Sequence, residues 1–242
     1  MTIVAEIKPL SARSVVLSLM LGVMPHRMKP ADLTRGGEHF GIPAATTRVA
    51  LTRAVAAGDL ERDGSDYVLG QRLLARQRHQ DEAVLDAERP WDGTWETAVV
   101  TAVGRPGPER AALRDALTGA RLGELREGVW MRPANLRRDP TYADDPTLTC
   151  LRSTPDGDPL MLAARLWDLA DWTRSGRAIG RLLARTTEPA PRLAVVAHLV
   201  RHLATDPLLP PGLLPDDWPG AELRATYADY RDELRAVGVS SN

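Results

Sequence analysis

Cysteine is almost missing from this chain. Cys150 is the only one in 242 residues, so no disulfide can close within it and no metal site can be built on cysteine thiolates. Phenylalanine is as scarce, with Phe40 alone, although there are six tryptophans. Long apolar runs are missing too. Val15 to Met24 follows Arg13 and superficially resembles a signal peptide, but a bilayer needs about 20 such residues, and no small-x-small cleavage site precedes Pro25. There is no Gly-x-Ser-x-Gly elbow, no Walker loop, no Gly-x-Gly-x-x-Gly and no His-Glu-x-x-His. These absences argue against secretion, membrane insertion, nucleotide binding and the common hydrolase chemistries. The expected location is the cytoplasm, with no cofactor, no metal and no catalytic residue.

What is present points toward nucleic acid. Net charge is −1 overall, but residues 1–78 carry eleven Lys/Arg against seven Asp/Glu, and residues 79–242 carry twenty against twenty-five. A basic N-terminal module on an acidic remainder suits a DNA reader whose other parts do something else. Ser11 caps a first helix, Ala12 to Val23, which Pro25 ends. Pro30 opens a short second helix through Arg35, with Gly36-Gly37 through Gly41 as its break. Pro43 starts a third that runs to Ala57 and stops at Gly58. Leu60 to Asp63, the Gly64-Ser65 turn and Asp66 to Leu69 read as a hairpin. Helix, break, helix and β-ribbon make a winged helix-turn-helix, whose last helix enters a major groove.

At about 100° per residue, Thr47, Ala50, Leu51, Ala54 and Val55 of that helix face inward. Ala45, Arg48, Val49 and Thr52 face outward, with Thr46 and Arg53 at the flank. Small side chains let a helix sit deep in a groove, while Arg forks onto guanine or phosphate. Arg48 and Arg53 are the expected base or phosphate contacts, and Thr46 and Thr52 the shorter polar ones. The wing carries Asp63 and Asp66, so its contribution is expected to be small.

The fold class read from the whole chain is α+β. Residues 1–70 form the winged helix and 71–89 a charged linker helix. Residues 90–158 form a ferredoxin-like α/β domain, with strands at 96–103, 123–125, 128–131 and 147–152, a helix at 109–118 and a polar loop at 139–146. Residues 159–242 form a helical domain, with helices at 160–174, 177–185, 190–204 and 221–237 and a Pro-rich stretch from Asp206 to Gly220.

Other constellations are weaker. His198 and His202 have metal-ligand spacing but no third ligand, so structural histidines are preferred. Asp144-Asp145 and Asp216-Asp217 are better read as capping or hydrogen-bonding residues than as an acid/base pair. A nucleolytic central domain would need acids gathered near the end of its first strand, and Val99 to Val103 offers none. An enzyme, either a metal-dependent nuclease or a CoA-ester hydrolase using the N-terminal domain for docking, therefore stands as the alternative, without a nucleophile, base or metal set. The tryptophans are expected mostly in cores, with Trp167 or Trp172 as candidates to face an aromatic ligand.

Several segments together resemble the PaaX family of transcriptional repressors. They are Arg48-Val-Ala-Leu-Thr-Arg53 with Gly58-Asp-Leu60, Trp91-Asp-Gly-Thr-Trp95, Leu122 to Leu136, Leu166-Trp-Asp-Leu169 and Asp206 to Gly220. The likeness spans nearly the whole chain in the family's order, and Leu213-Leu-Pro-x-x-Trp-Pro-Gly220 is its most specific piece. The resemblance implies a homodimer, a winged helix and a palindromic operator in double-stranded DNA. It also implies relief of repression by an effector such as an aryl-CoA thioester. An acyl-CoA would need cations, for which Arg132, Arg137 and Arg138 are the candidates, with Trp167 and Trp172 against its acyl or aromatic group. The chain departs from the family at Ser175-Gly176, where an aromatic residue is usual, so the helical domain is expected to line a different cavity.

Overall fold

The computed structural model describes residues 9–74, 89–102 and 104–239. Most of the expected linker helix, residues 75–88, lies outside the described residues; residues 71–74 are helical. The chain is a mixture of α-helices and two antiparallel sheets, and its contacts divide into two compact units. One gathers the described residues of Met1–Val84, Ser175–Ala204 and Pro219–Asn242; the other those of Leu85–Arg174 and Thr205–Trp218.

The first unit begins with α1 (Ala12–Gly22), where the Ser11 hydroxyl accepts from the Ser14 amide at 3.2 Å. Then come β1 (Arg27–Met28), α2 (Pro30–His39), α3 (Ala44–Ala56) and the hairpin of β2 (Leu60–Asp63) and β3 (Asp66–Leu69). The sheet order is β1-β3-β2, with Arg62 opposite Tyr67. Leu19, Met20, Leu33, Leu51 and Ala54 are fully buried among the three helices. At about 1.5–3 kcal/mol per buried large aliphatic side chain, this is the main force holding α3 in place.

One local expectation fails here. The Gly36-Gly37 pair does not break α2, which continues to His39. Both glycines are buried within it because their neighbours leave no room for a side chain. A Cβ on Gly36 would lie 2.7 Å from Leu19 Cδ1, and one on Gly37 would strike Thr47 Oγ1. The pair lets α2 lie close against α1 and α3, and Gly41, at φ +74°, makes the turn instead. Residues 175–188 and two later helices, α7 (Pro189–Leu203) and α8 (Gly220–Val239), complete the unit. α8 packs on α1 and α2, where Arg235 Nε donates to the Gly22 carbonyl at 3.1 Å and Leu234 fills the space over Gly22.

The second unit holds β4 (Trp95–Val100), α4 (Gly107–Gly119), β5 (Gly123–Arg126), β6 (Val129–Pro133) and β7 (Leu148–Ser153). Its sheet runs β5-β6-β4-β7, all pairs antiparallel. A 3-10 turn, Thr141–Asp144, lies within the expected polar loop. Leu113, Leu117, Leu122, Trp130 and Tyr142 pack with Ala98 against one another, and a second cluster joins Trp95, Met131, Ala163, Leu209 and Leu213.

The helical segments divide differently from expectation. α5 (Pro159–Leu166) ends at Trp167, and α6 runs without interruption through Leu169–Arg185. The break falls at Trp167-Asp168, where the Asp168 carboxylate accepts from the Asp171 amide at 2.8 Å. Ser175-Gly176 lies inside α6. Gly176 is there because a Cβ would come within 2.9 Å of His202 Nε2 and Leu223 Cδ1.

Candidate nucleic-acid interface

The outer face of α3 holds every residue expected there. Ala45, Thr46, Arg48, Val49, Thr52 and Arg53 are exposed, whereas Thr47, Ala50, Leu51 and Ala54 are buried. Val49 keeps 51% of its surface in water, unusual for a central aliphatic residue on a short helix. Thr52 Oγ1 donates to the Arg48 carbonyl at 3.1 Å, which turns its methyl outward. Neither the Arg48 nor the Arg53 guanidinium has an ion-pair or hydrogen-bond partner among the described residues. The face is therefore short-chained, with one exposed aliphatic group and two free guanidinium groups.

A groove of about 620 Å³ runs beside it, lined by Thr34 and Arg35 of α2, Arg48 and Thr52 of α3, and Arg62 and Tyr67 of the hairpin. The Arg62 guanidinium lies over the Tyr67 ring at 4.2 Å, and its Nη1 donates to the Ser65 carbonyl at 3.4 Å. Those contacts hold the arginine along the ribbon.

The wing acids do not stand alone. Arg27 of β1 pairs with Asp63 and, at 3.3 Å, with Asp66. Half of their charge is thus offset by a residue that reading the hairpin by itself could not supply. Arg62 was legible in principle: a two-residue turn fixes the register and places it opposite Tyr67.

Asp59, between α3 and the hairpin, was missed. Its carboxylate is buried, accepts from Arg13 Nε at 2.8 Å and from Arg13 Nη2, and accepts from Arg72 Nη2 at 2.9 Å. Burial pushes this acid upward, but the two arginines outweigh it and hold it below the ordinary 3.8. Asp59 joins the first turn of α1, the end of α3 and the exit of the wing, and so fixes the angle at which α3 is presented. Gly70 closes the same junction, since a Cβ there would run into the Gly58 carbonyl.

The sequence matches the family model of the PaaX protein central Cas2-like domain over residues 88–143 and that of the PaaX-like protein C-terminal domain over residues 180–240. Among solved structures it is similar to the uncharacterized protein Rv0674 from Mycobacterium tuberculosis. Identity is 45%, the match covers 94% of this chain and 97% of that one, and the TM-score is 0.85. The chain belongs to the PaaX family. No curated protein matches it. The two PaaX models cover β4 to the 3-10 turn, the end of α6, α7 and α8; the α3 face lies outside both.

The structure scatters the residues expected to meet an effector. Arg132, the central one, is fully buried and cannot reach a ligand. It donates to the carbonyls of Pro133 at 3.0 Å and Leu208 at 3.2 Å and to Asn135 Oδ1 at 2.9 Å. Desolvation, with the nearby Arg138 charge, pulls it down to about 9, and Glu96 partly offsets this. Its role is to clamp the Asp206–Leu209 segment, which the PaaX resemblance had singled out, onto the sheet. Leu208 lies in the left-handed region at φ +49°, an angle held by these bonds and by the Asp206 carboxylate on its own amide.

Arg138 is committed too, to the Ala120 carbonyl at 2.7 Å and to Glu96, which also accepts from the Tyr142 hydroxyl at 2.7 Å. Arg137 is exposed. Trp172 is buried, stacked on Trp218 at 4.1 Å, and donates to Thr205 Oγ1 at 3.1 Å. Trp167 alone lines a groove, of about 590 Å³, with Arg165, Leu213, Leu214 and Pro215. Asp145 accepts from the Thr147 amide at 2.8 Å, a turn-forming role. Among the described residues no three His, Cys, Asp or Glu side chains gather as for a metal, and no helix is long and apolar enough to cross a membrane.

Proposed function

We propose that this PaaX-family member is a dimeric, sequence-specific transcriptional repressor whose residues 1–70 form a winged helix-turn-helix. The observation that carries this reading is the face of α3, where Arg48 and Arg53 stand unpaired among short side chains. A helix so dressed fits the major groove: Arg48 forks onto guanine or phosphate, Arg53 and Thr46 meet the backbone or base edges, and Val49 with the Thr52 methyl suits thymine methyls. With Arg27 offsetting part of the charge of Asp63 and Asp66, and Arg62 held along the ribbon by Tyr67, the hairpin can present a guanidinium toward flanking phosphate, so the wing contributes more than its acids alone suggested. Two such heads on a twofold axis, about 34 Å apart, read a palindrome.

The sheet order β5-β6-β4-β7 is that of a ferredoxin-like layout lacking its second helix, and we assign residues 90–158 to that domain and 159–242 to the helical one. Repression is relieved by a small-molecule effector, for which the Trp167 groove is the better candidate now that Arg132, Arg138 and Trp172 are otherwise engaged. An acyl-CoA thioester is the class the family resemblance suggests. An effector acts only through a difference in its affinity for the DNA-bound and free states.

Selection of the full chain against random duplexes tests the reading. A twofold-symmetric site should be enriched; enrichment of no sequence would remove it. Calorimetry with acyl-CoA thioesters and their free acids, followed by operator titration in their presence, tests the effector separately.

A further inference from the structure

A groove of about 510 Å³ opens in the second unit between the first turns of α4 and one end of the sheet. Neither the α3 face nor the Trp167 groove shares a residue with it. Its floor is apolar where the elements meet: Val100 ends β4, and Leu113 of α4 and Trp130 of β6 are both buried. Its rim carries arginines. Arg110 and Arg114 stand four apart on one face of α4, and Arg105 precedes the helix. A cleft of about 300–1,000 Å³ with an apolar lining and a few placed polar groups is the usual form of a small-molecule site.

The three arginines are not equally engaged. Arg114 pairs with Glu124, its Nη2 at 3.3 Å from one carboxylate oxygen, and its guanidinium covers the Trp130 ring at 5.5 Å. Arg105 is held from one side only. Its Nη1 donates to Thr147 Oγ1 at 2.9 Å, and the Thr147 amide is fixed in turn by Asp145 Oδ1 at 2.8 Å. The other edge of that guanidinium, Nε with Nη2, donates to nothing among the described residues, although Nε is buried and the side chain only 15% exposed. Glu109 approaches Nε to 3.7 Å, an ion pair too long for a hydrogen bond. A buried donor without an acceptor is costly, and an acceptor bound at this edge removes the cost. The Arg110 guanidinium has no ion-pair or hydrogen-bond partner among the described residues.

We infer that this groove binds a small organic acid, its carboxylate on the Nε/Nη2 edge of Arg105 with Arg110 in support, and its apolar body against Val100, Leu113 and Trp130. The chemistry follows from the lining. The open edge of a guanidinium presents two parallel N–H groups, which match the two oxygens of a carboxylate. Glu124 is spent on Arg114, so among the lining charges Arg105 and Arg110 face Glu127 alone, a surplus of one positive charge. Glu109, 58% exposed, yields the edge to a ligand by turning to water. Pro106 gives α4 no side-chain cap, so the positive end of the helix adds to the surplus. One surplus charge suits a carboxylate, whereas a phosphate group, at about −1.5 to −2, would be under-compensated. The site lies apart from the α3 face and the Trp167 groove and rests on neither.

The experiment is calorimetry of the full chain with benzoate, cyclohexanecarboxylate and octanoate as probes, and with benzamide and inorganic phosphate beside them. Expected is saturable binding of at least one carboxylate, one per chain, and none of benzamide or phosphate, which offer only the ring or only the charge. Arg105→Gln should weaken that carboxylate at least about tenfold, the worth of a hydrogen bond to a charged group. Ala111→Trp, at an exposed position of α4 on the groove, fills the space without touching either arginine. It should weaken binding as much with dichroism unchanged, which keeps the test decisive even where Arg105→Gln unfolds the domain. Absence of saturable binding by all three acids overturns the site. So does benzamide binding as tightly as benzoate, or a carboxylate affinity that survives Ala111→Trp. Operator affinity enters none of these outcomes, so the repressor reading stands or falls separately.

Discussion

Replacing Asp59 by Asn is the most informative perturbation of the three-helix N-terminal segment, because it alters the mounting of α3 without touching its outer face. Asp59 is 2% exposed and takes bonds from Arg13 and Arg72, whose side chains are 49% and 73% exposed. Removing the carboxylate strands no buried charge, since both arginines can turn to water. The cost therefore falls below the roughly 3–5 kcal/mol of halving a fully buried pair. It exceeds the roughly 0–1 kcal/mol of a surface pair, because the acceptor itself is buried. Hydrogen bonds to charged groups place it at about 2–3 kcal/mol.

Amide hydrogen exchange in α1 and α3 should accelerate by roughly 30- to 100-fold, at about 1.4 kcal/mol per tenfold. The pH dependence has a definite sign. The folded-state value is depressed below 3.8, so the stability Asp59 contributes is present above that pH and lost as pH falls through the folded value. Wild type and Asp59→Asn should therefore differ most near neutrality and converge in acid. An Asn variant that exchanges like the wild type at pH 7, or a gap that widens below pH 4, would refute the junction as described.

Gly37→Ala should cost about 1–3 kcal/mol in urea unfolding, because its Cβ strikes Thr47 Oγ1, and Thr47→Ala in the same chain should recover part of that loss. Arg132→Met should cost about 1–3 kcal/mol, since buried carbonyls around Leu208 lose their donor. All six tryptophans belong to the unit that holds Arg132, so intrinsic fluorescence is the fitting probe of that unfolding. A Met variant with an unchanged fluorescence midpoint would show the clamp to be dispensable.

Much of the segment from α1 to the β2-β3 hairpin was legible because local rules decide it. Pro43 and Gly58 bracket α3, the two-residue turn at Gly64-Ser65 fixes the hairpin, and a 100° step sorts the α3 residues by face. The illegible parts depend on partners distant in sequence. Whether Gly36-Gly37 breaks or packs is set by Leu19 and Thr47, and whether Gly176 interrupts α6 is set by His202 and Leu223. An arginine run such as Arg132 to Arg138 reads as one cationic patch. Strand alternation and a neighbouring segment from Asp206 to Leu209 turn one of its members wholly inward. The pairing of Arg27 with Asp63 and Asp66 was hidden because β1, only two residues long, gives no periodic signal.

The central claim is that α3 reads DNA through Arg48. Its most direct test is fluorescence anisotropy of the full chain on its selected duplex across a salt series, wild type against Arg48→Ala. The account predicts affinity falling steeply with salt, and a loss on substitution worth about 1–3 kcal/mol for each bidentate contact, taken twice in a symmetric dimer, with dichroism unchanged. Salt-independent binding, or an Arg48→Ala variant that holds the duplex as tightly as the wild type, would contradict it.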